Sequence, residues 1–321
     1  LLVVLALVIS VLPGLGDVRE RFASAEPIWI AAAFLCSLTS RLCYVAALRG
    51  TLSRQITWRS SWHLGMAEQG SNVLLPTGGV GGPALGAIVL HRAGVPTGVA
   101  APRSAALFLL TSATSFSAIA IAGFATGVGL LPGDVSWVGT LLPAALALAV
   151  IAAVAALVRL PVGTDSPGAG RAARWARQAA ALLRDGVKKS IVLLRDHDPL
   201  VIGGCIGYLT FDIAALGAAF QAFGGAGPPF GAFVLAYALG QVGSLIPTPG
   251  GLGGTEGGLI GMLVVYGAPA APAAAAVLAY RVFQLGLPAI LGLLAFRQIR
   301  RRLADADQTA AVAARFDAES P

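Results

Sequence analysis

Two closely similar helix-breaking phrases, roughly 172 residues apart, interrupt an otherwise apolar chain. They are Leu74-Leu75-Pro76-Thr77-Gly78-Gly79-Val80-Gly81-Gly82 and Leu245-Ile246-Pro247-Thr248-Pro249-Gly250-Gly251-Leu252-Gly253-Gly254. Each is followed by a small-residue turn and a proline, Gly94-Val95-Pro96 and Gly267-Ala268-Pro269. Proline stops the preceding helix, and glycine admits backbone conformations closed to other residues. Unwound backbone at bilayer depth survives only where protein or water satisfies it. Matching breaks in two halves of a chain therefore point to a transport site between repeats.

The surroundings of the breaks set the solvent. Apolar residues make up 56% of the 321 and charged residues 12%, against about a quarter charged in soluble domains. Mean hydropathy is +0.79. This is the composition of an all-α polytopic membrane protein. The net charge of +7 comes from clusters beside apolar runs and not from an aromatic-studded basic face, so nucleic acid is not expected as a partner.

Runs long enough to cross about 30 Å of hydrocarbon, at about 20 residues each, cover 28–49, 97–128, 136–158, 199–222 and 269–296, with 1–12 as the tail of a sixth. Segments 60–75 and 83–92, and again 230–246 and 254–267, are too short to cross alone. They read as the arms of two re-entrant helical hairpins with the Pro-Thr-Gly phrases at their tips.

Charge placement sets the expected orientation. Arg49, Arg54, Arg59, Arg92, eight basic residues from Arg159 to Arg195, and Arg297, Arg300, Arg301, Arg302 and Arg315 all fall on one side, which makes both termini cytoplasmic. The first hairpin then enters from the cytoplasm and the second from outside. Each repeat is a span, a re-entrant hairpin and a span, residues 28–128 and 199–297, in opposite topology. A linker, 159–198, carries an amphipathic helix over Arg171–Leu194, with Trp175, Ala179, Leu182, Leu183, Val187, Ile191 and Leu194 on its apolar stripe. Residues 298–321 form a basic stretch and then a frayed, disordered tail. Residues 1–297 thus form one transmembrane domain.

Charges inside such spans cost about 2.5–3.5 kcal/mol each, so each needs a partner or a task. Arg41 and Asp212 occupy matching places in the two repeats and are expected to face each other across the interface. Glu68 lies in the first hairpin. Glu256 follows the second glycine turn, and Arg281 in the last span is its expected counter-ion. A carboxylate there is suited to link proton release to headgroup movement. The breaks themselves, Pro76, Thr77, Gly78, Gly79, Gly81 and Gly82 with Pro247, Thr248, Pro249, Gly250, Gly251, Gly253 and Gly254, would present helix N-termini to a phosphate. Small-residue helix packing is the structural alternative.

Enzyme readings find little support. Neither phrase gives G-x-G-x-x-G, there is no Walker sequence, and His63, His91 and His197 lie near expected helix ends without a Glu-x-x-His partner. Cys36, Cys43 and Cys205 lack metal-ligand spacing and read as buried thiols. No cofactor or metal is expected.

The second phrase, continued as Thr255-Glu256-Gly257, together with Tyr280-Arg281 and Leu287-Pro288, resembles the signature of the lysylphosphatidylglycerol synthase transmembrane (flippase-like) family. Asn72-Val73-Leu74-Leu75-Pro76 with its glycines is similar to the family's first motif, although Pro83-Ala84 stands where an acidic residue often follows. The resemblance covers about residues 28–297. It implies a lipid-flippase-like domain, in some members fused to an aminoacyl-transferase. This chain ends 19 residues after Arg302, so synthase activity is not carried over.

The expected function is a lipid flippase-like transporter of the bacterial inner membrane. It would move an anionic phospholipid or lipid-linked headgroup between leaflets by alternating access. The alternative is a non-transporting lipid-binding subunit that scaffolds an envelope lipid or glycan synthesis enzyme.

Overall fold

The computed structural model describes residues 25–52, 56–76, 81–92, 95–132, 136–156, 158, 170–225, 227–246 and 248–319. Among them there is no strand. The helices are α1 (Pro27–Leu52), α2 (Trp58–Leu74), α3 (Gly81–Arg92), α4 (Thr97–Gly127), α5 (Trp137–Ala156), α6 (Arg171–Arg195), α7 (Pro199–Ala222), α8 (Phe230–Gly240), α9 (Gly254–Val265) and α10 (Ala270–Glu319). Two 3-10 turns, Gln241–Leu245 and Pro249–Gly251, join α8 to α9.

Five of these helices are long and apolar enough to cross a membrane: Pro27–Leu52, Gly98–Gly127, Trp137–Ala156, Pro199–Ala222 and Ala270–Arg301. The chain is therefore an all-helical, multi-pass membrane protein. The span expected to end near residue 12 lies outside the described residues. The twelve residues of α3 or α9 reach only about 18 Å at ~1.5 Å per residue. The backbone of α10 stays helical to Glu319, through the stretch read from sequence as a frayed tail.

Local chemistry starts the elements where the sequence allows. Thr57 caps α2, its hydroxyl accepting from the Ser60 amide at 3.2 Å. Asp198 caps α7 by accepting from the Leu200 amide at 2.9 Å, with Pro199 in the first turn, where a missing N–H costs nothing.

At the centre α1 and α7 run antiparallel. Gly50 lies against Val201, Gly204 against the backbone of Cys43 and Ala47, and Gly207 against Cys43, while the Glu26 amide bonds to the Ala222 carbonyl at 2.9 Å. Small residues bring the two backbones together, which is how helices associate where lipid removes most of the hydrophobic drive. Around this pair α2 packs on α10, crossing it at Gly70 and Gly292, and α8 packs on α4, where Gly123 meets Leu235. The largest apolar cluster joins α7, α8, α9 and α10 through Leu216, Phe220, Leu235, Leu259, Leu263 and Val277.

Helix α6 lies along α4, with Gly186 against Ala105 and Leu109, and the Ser190 hydroxyl near the Ala106 carbonyl at 3.4 Å. Of the stripe expected from sequence, Val187 is buried in this contact, whereas Leu182, Leu183 and Leu194 remain exposed.

The Gly204 contact yields a paired test. A Cβ there meets the Ala47 amide nitrogen and the Cys43 carbonyl, while a Cβ at Gly203 meets nothing. Gly204→Ala is expected to cost about 1–3 kcal/mol by forcing α1 and α7 apart. Gly203→Ala is expected to be neutral or stabilising by up to ~1 kcal/mol. Thermal unfolding of the two variants in detergent measures the difference.

Candidate functional site

A cavity of about 290 Å³ opens among α1, α2, α4, α7, α8, α10 and the segment from Ser244 to Gly251. Its walls are polar for a site between apolar helices. They include Arg41, Asp212 and Arg281, the amide side chains of Gln69, Asn72, Gln241 and Gln284, and three tyrosines, Tyr44, Tyr208 and Tyr237.

Arg41 projects from the middle of α1 and Asp212 from the middle of α7, and the antiparallel packing brings them to 2.6 Å, Arg41 Nη2 to Asp212 Oδ1. Both are buried. Arg41 Nη1 donates to Gln69 Oε1 at 2.7 Å, and the guanidinium lies over the Tyr208 ring, 5.2 Å from its centroid. Asp212 Oδ1 takes Arg41, and Oδ2 takes the Tyr237 hydroxyl at 2.6 Å and the Tyr280 hydroxyl at 2.9 Å; the Ser40 hydroxyl, which donates to the Tyr208 carbonyl at 2.9 Å, stands 3.5 Å from Oδ1. Gln241 Nε2 donates in turn to the Tyr237 oxygen at 2.9 Å. A buried ion pair holds only when its remaining donors and acceptors are also met. Here the tyrosines of α8 and α10 meet those of Asp212.

The second pair is built on the second helix break. After α8 the chain tightens into a 3-10 turn, and Gly250, Gly251 and Gly253 then adopt φ of 63°, 66° and 83°. In this left-handed region a side chain is strained, so glycine is required for the turn into α9. Glu256 closes the turn, Oε2 accepting from the Gly253 amide at 2.7 Å and Oε1 from Arg281 Nε at 2.8 Å. Arg281 also donates to Gln284 Oε1 and to the Gly250 carbonyl, each at 2.5 Å. One guanidinium thus ties α10 to the helix start through Glu256 and to the turn through Gly250.

The remaining residues singled out in the sequence distribute unevenly. Thr248, Gly250 and Gly251 line the cavity, Pro249 and Gly253 are exposed beside it, and Gly254 packs on the Gly243 carbonyl. On the first hairpin Gly81 and Gly82 are buried at the start of α3, and Pro76 is exposed at the end of α2. Thr77, Gly78, Gly79 and Pro247 lie outside the described residues. The amides read as open to a phosphate are engaged internally at two places, Gly253 by Glu256 and Gly82 by Asn72 Oδ1 at 2.6 Å. Glu68 does not line the cavity. It is buried between α2 and α3, with Oε2 accepting from the Tyr44 hydroxyl at 2.9 Å, Oε1 unpartnered and Gly86 directly opposite. The equivalent place in the second hairpin is Gly240, which meets Gly258 with backbone alone. The two hairpins therefore differ in their packing.

Sequence reasoning singled out the charges and missed the neutral polar groups around them. Tyr208 and Asp212, and Tyr237 and Gln241, stand four residues apart in apolar helices, and Arg281 and Gln284 three apart. Such spacing places two side chains on one helix face. That signal was available.

The double-sided satisfaction of Asp212 gives a directional expectation. Arg41→Met leaves an uncompensated buried carboxylate and should cost about 3–5 kcal/mol. Adding Asp212→Asn removes the charge while keeping the tyrosine bonds, and should recover part of the loss. The monodisperse fraction in size-exclusion chromatography and the Tm report both, and a double variant worse than Arg41→Met alone contradicts the pairing.

Comparison with known proteins agrees with this architecture. No curated protein matches the chain. The family model described as the lysylphosphatidylglycerol synthase TM region matches residues 1–292, which include both helix breaks, Arg41, Asp212, Glu256 and Arg281. The chain belongs to the lysylphosphatidylglycerol synthase TM region family.

Proposed function

We propose that this protein is a flippase-like lipid transporter of the bacterial inner membrane. It moves an anionic phospholipid or lipid-linked headgroup between leaflets by alternating access, without changing the lipid chemically. The observation that carries the reading is the polar cavity itself, lined by two paired guanidinium groups and enclosed by helices whose outer surfaces are apolar. A headgroup crossing hydrocarbon needs such a polar stopping place near mid-depth.

The pattern of contacts supports an inverted repeat. Helices α1 to α4 correspond to α7 to α10, each set being long, short, short, long. In each half the first short helix packs against the last long helix of the other half, α2 on α10 and α8 on α4. The second short helix packs against the last long helix of its own half, α3 on α4 and α9 on α10. Helices α1 and α7 meet antiparallel at the axis, with the equivalent residues Arg41 and Asp212 in contact. The short helices fit re-entrant hairpins entering from opposite sides, and the basic clusters favour cytoplasmic termini.

In this mechanism the hairpins rock against the long helices and expose the cavity to one leaflet at a time. Arg281, tied to Glu256 and the turn, stands on the cavity wall where a headgroup phosphate would meet it, and the membrane potential adds about 2.3 kcal/mol per charge per 100 mV.

Two measurements test this. Single cysteines near Arg59 and near Gly227, in a background without Cys36, Cys43 and Cys205, should be labelled by an impermeant reagent from opposite sides; labelling from one side ends the inverted-repeat reading. In liposomes with headgroup-labelled phosphatidylglycerol, the purified protein should abolish leaflet asymmetry. Glu256→Gln should then remain folded but move the lipid several-fold more slowly, because Arg281 loses its charged partner. Wild-type rates in that variant would remove Glu256 from the mechanism.

A further inference from the structure

A second groove, of about 430 Å³, shares no residue with the central cavity and lies between the start of α4 and the C-terminal half of α6. Arg103 lines it from α4, and Lys188 and Lys189 line it from α6. Among the described residues none of these three cations has an ion-pair or hydrogen-bond partner. Against them the wall sets one carboxylate, Asp185, which pairs with none of them. Like charges held together without a counter-ion repel one another, and a phosphate between the two helices offsets that repulsion.

The length of α4 sets the depth of this groove. The span Gly98–Gly127 holds 30 residues, about 45 Å at ~1.5 Å per residue, against about 30 Å of hydrocarbon. Roughly ten residues therefore stand in a headgroup layer. No charged residue occurs from Ser104 to Gly127, so the excess length falls at the Arg103 end. Helix α6 packs on that end, with Gly186 against Ala105 and Leu109. Val99 and Val192 line the groove and are exposed, and Leu182, Leu183 and Leu194 of α6 are left exposed nearby on the helix. Cations beside exposed apolar side chains at headgroup depth are what an amphipathic helix presents to an anionic leaflet.

We propose that the groove between α4 and α6 binds the phosphate of an anionic lipid of the cytoplasmic leaflet, and that this lipid is a fixed part of the assembly and not its cargo. The phosphate bridges Arg103 of α4 to Lys188 and Lys189 of α6, with the acyl chains beside Val99. Because α4 also packs on α3 and α8, the bound lipid fastens the linker helix to the span that supports one arm of each hairpin. The site rests on the orientation proposed above and does not depend on transport.

Binding to the full chain in neutral detergent tests it. The probe is dioctanoyl phosphatidylglycerol titrated by calorimetry, with dioctanoyl phosphatidylcholine and inorganic phosphate as comparators. Lys188→Gln with Lys189→Gln should weaken one binding component for the anionic lipid at least tenfold, and Asp185→Asn should tighten it several-fold. These side chains are exposed or half-buried and lie outside the central cavity, so changes of opposite sign assign the binding to this groove. Unchanged affinity in the folded lysine variant overturns the proposal, as does a wild-type protein that binds no anionic lipid. Equal binding of the zwitterionic lipid removes the selection for net negative charge, and equal binding of inorganic phosphate makes the groove a site for a free anion; either result overturns the proposal too. Should the lysine variant fail to fold, the sign of the Asp185→Asn change decides. Reconstitution keeps the two readings apart: groove binding without lipid movement defeats the transporter alone, and lipid movement without groove binding defeats this site alone.

Discussion

A guanidinium on a membrane-spanning helix has to be neutralised, and Arg41 finds its counter-charge on the one helix that runs against its own along most of its length. The Arg41–Asp212 contact at 2.6 Å requires α1 and α7 to approach closely, and the glycine and alanine faces around Gly204 and Ala47 make that possible. Everything else is arranged around this pair. Asp212 recruits Tyr237 from α8 and Tyr280 from α10, and Arg41 recruits Gln69 from α2, so a single buried charge pair draws on five helices. Replacement by apolar residues would suit packing equally well or better. The pair therefore makes most sense as the polar floor of a cavity.

The second pair solves a different problem. Turning the chain from α8 into α9 leaves backbone groups with no helical partner, and in hydrocarbon each is costly. Glu256 meets the Gly253 amide, and Arg281 meets the Gly250 carbonyl and holds Glu256. The helix break is thus closed by the same residues that face the cavity or adjoin it. The same contacts close the turn and tie it to α10.

The two halves are alike in plan and unlike in detail. Both hairpins bring a glycine of the second arm against the first, but the first hairpin places the Glu68 side chain there, and the second has only the backbone of Gly240. The first motif lacks an acidic residue equivalent to Glu256, with Ala84 near that place, and carries its carboxylate on the opposite arm instead. A motion that exchanges the roles of the halves would therefore not be energetically symmetric.

Much of this protein was legible without coordinates. Hydropathy is carried by each residue on its own, so the five described spans fall within a few residues of the apolar runs. The helix breaks follow from proline and glycine, whose backbone preferences are equally local, and the left-handed values at Gly250, Gly251 and Gly253 agree with them. Family membership rests on the same local phrases. The two ion pairs, Arg41 with Asp212 and Glu256 with Arg281, were expected from the positions of the charges, and what only the tertiary structure decided is the set of neutral partners around them. Whether Gln69 reaches Arg41, whether two tyrosines converge on Asp212, and whether Gly253 turns its amide to Glu256 or to open space all depend on the rotation and depth of helices far apart in the chain. Side-chain pairing across such distances is settled by packing, which no local run of residues reports. The spans, the breaks and the charges are therefore properties of the sequence alone, while the cavity and the neutral polar groups around its charges exist only once the helices are assembled.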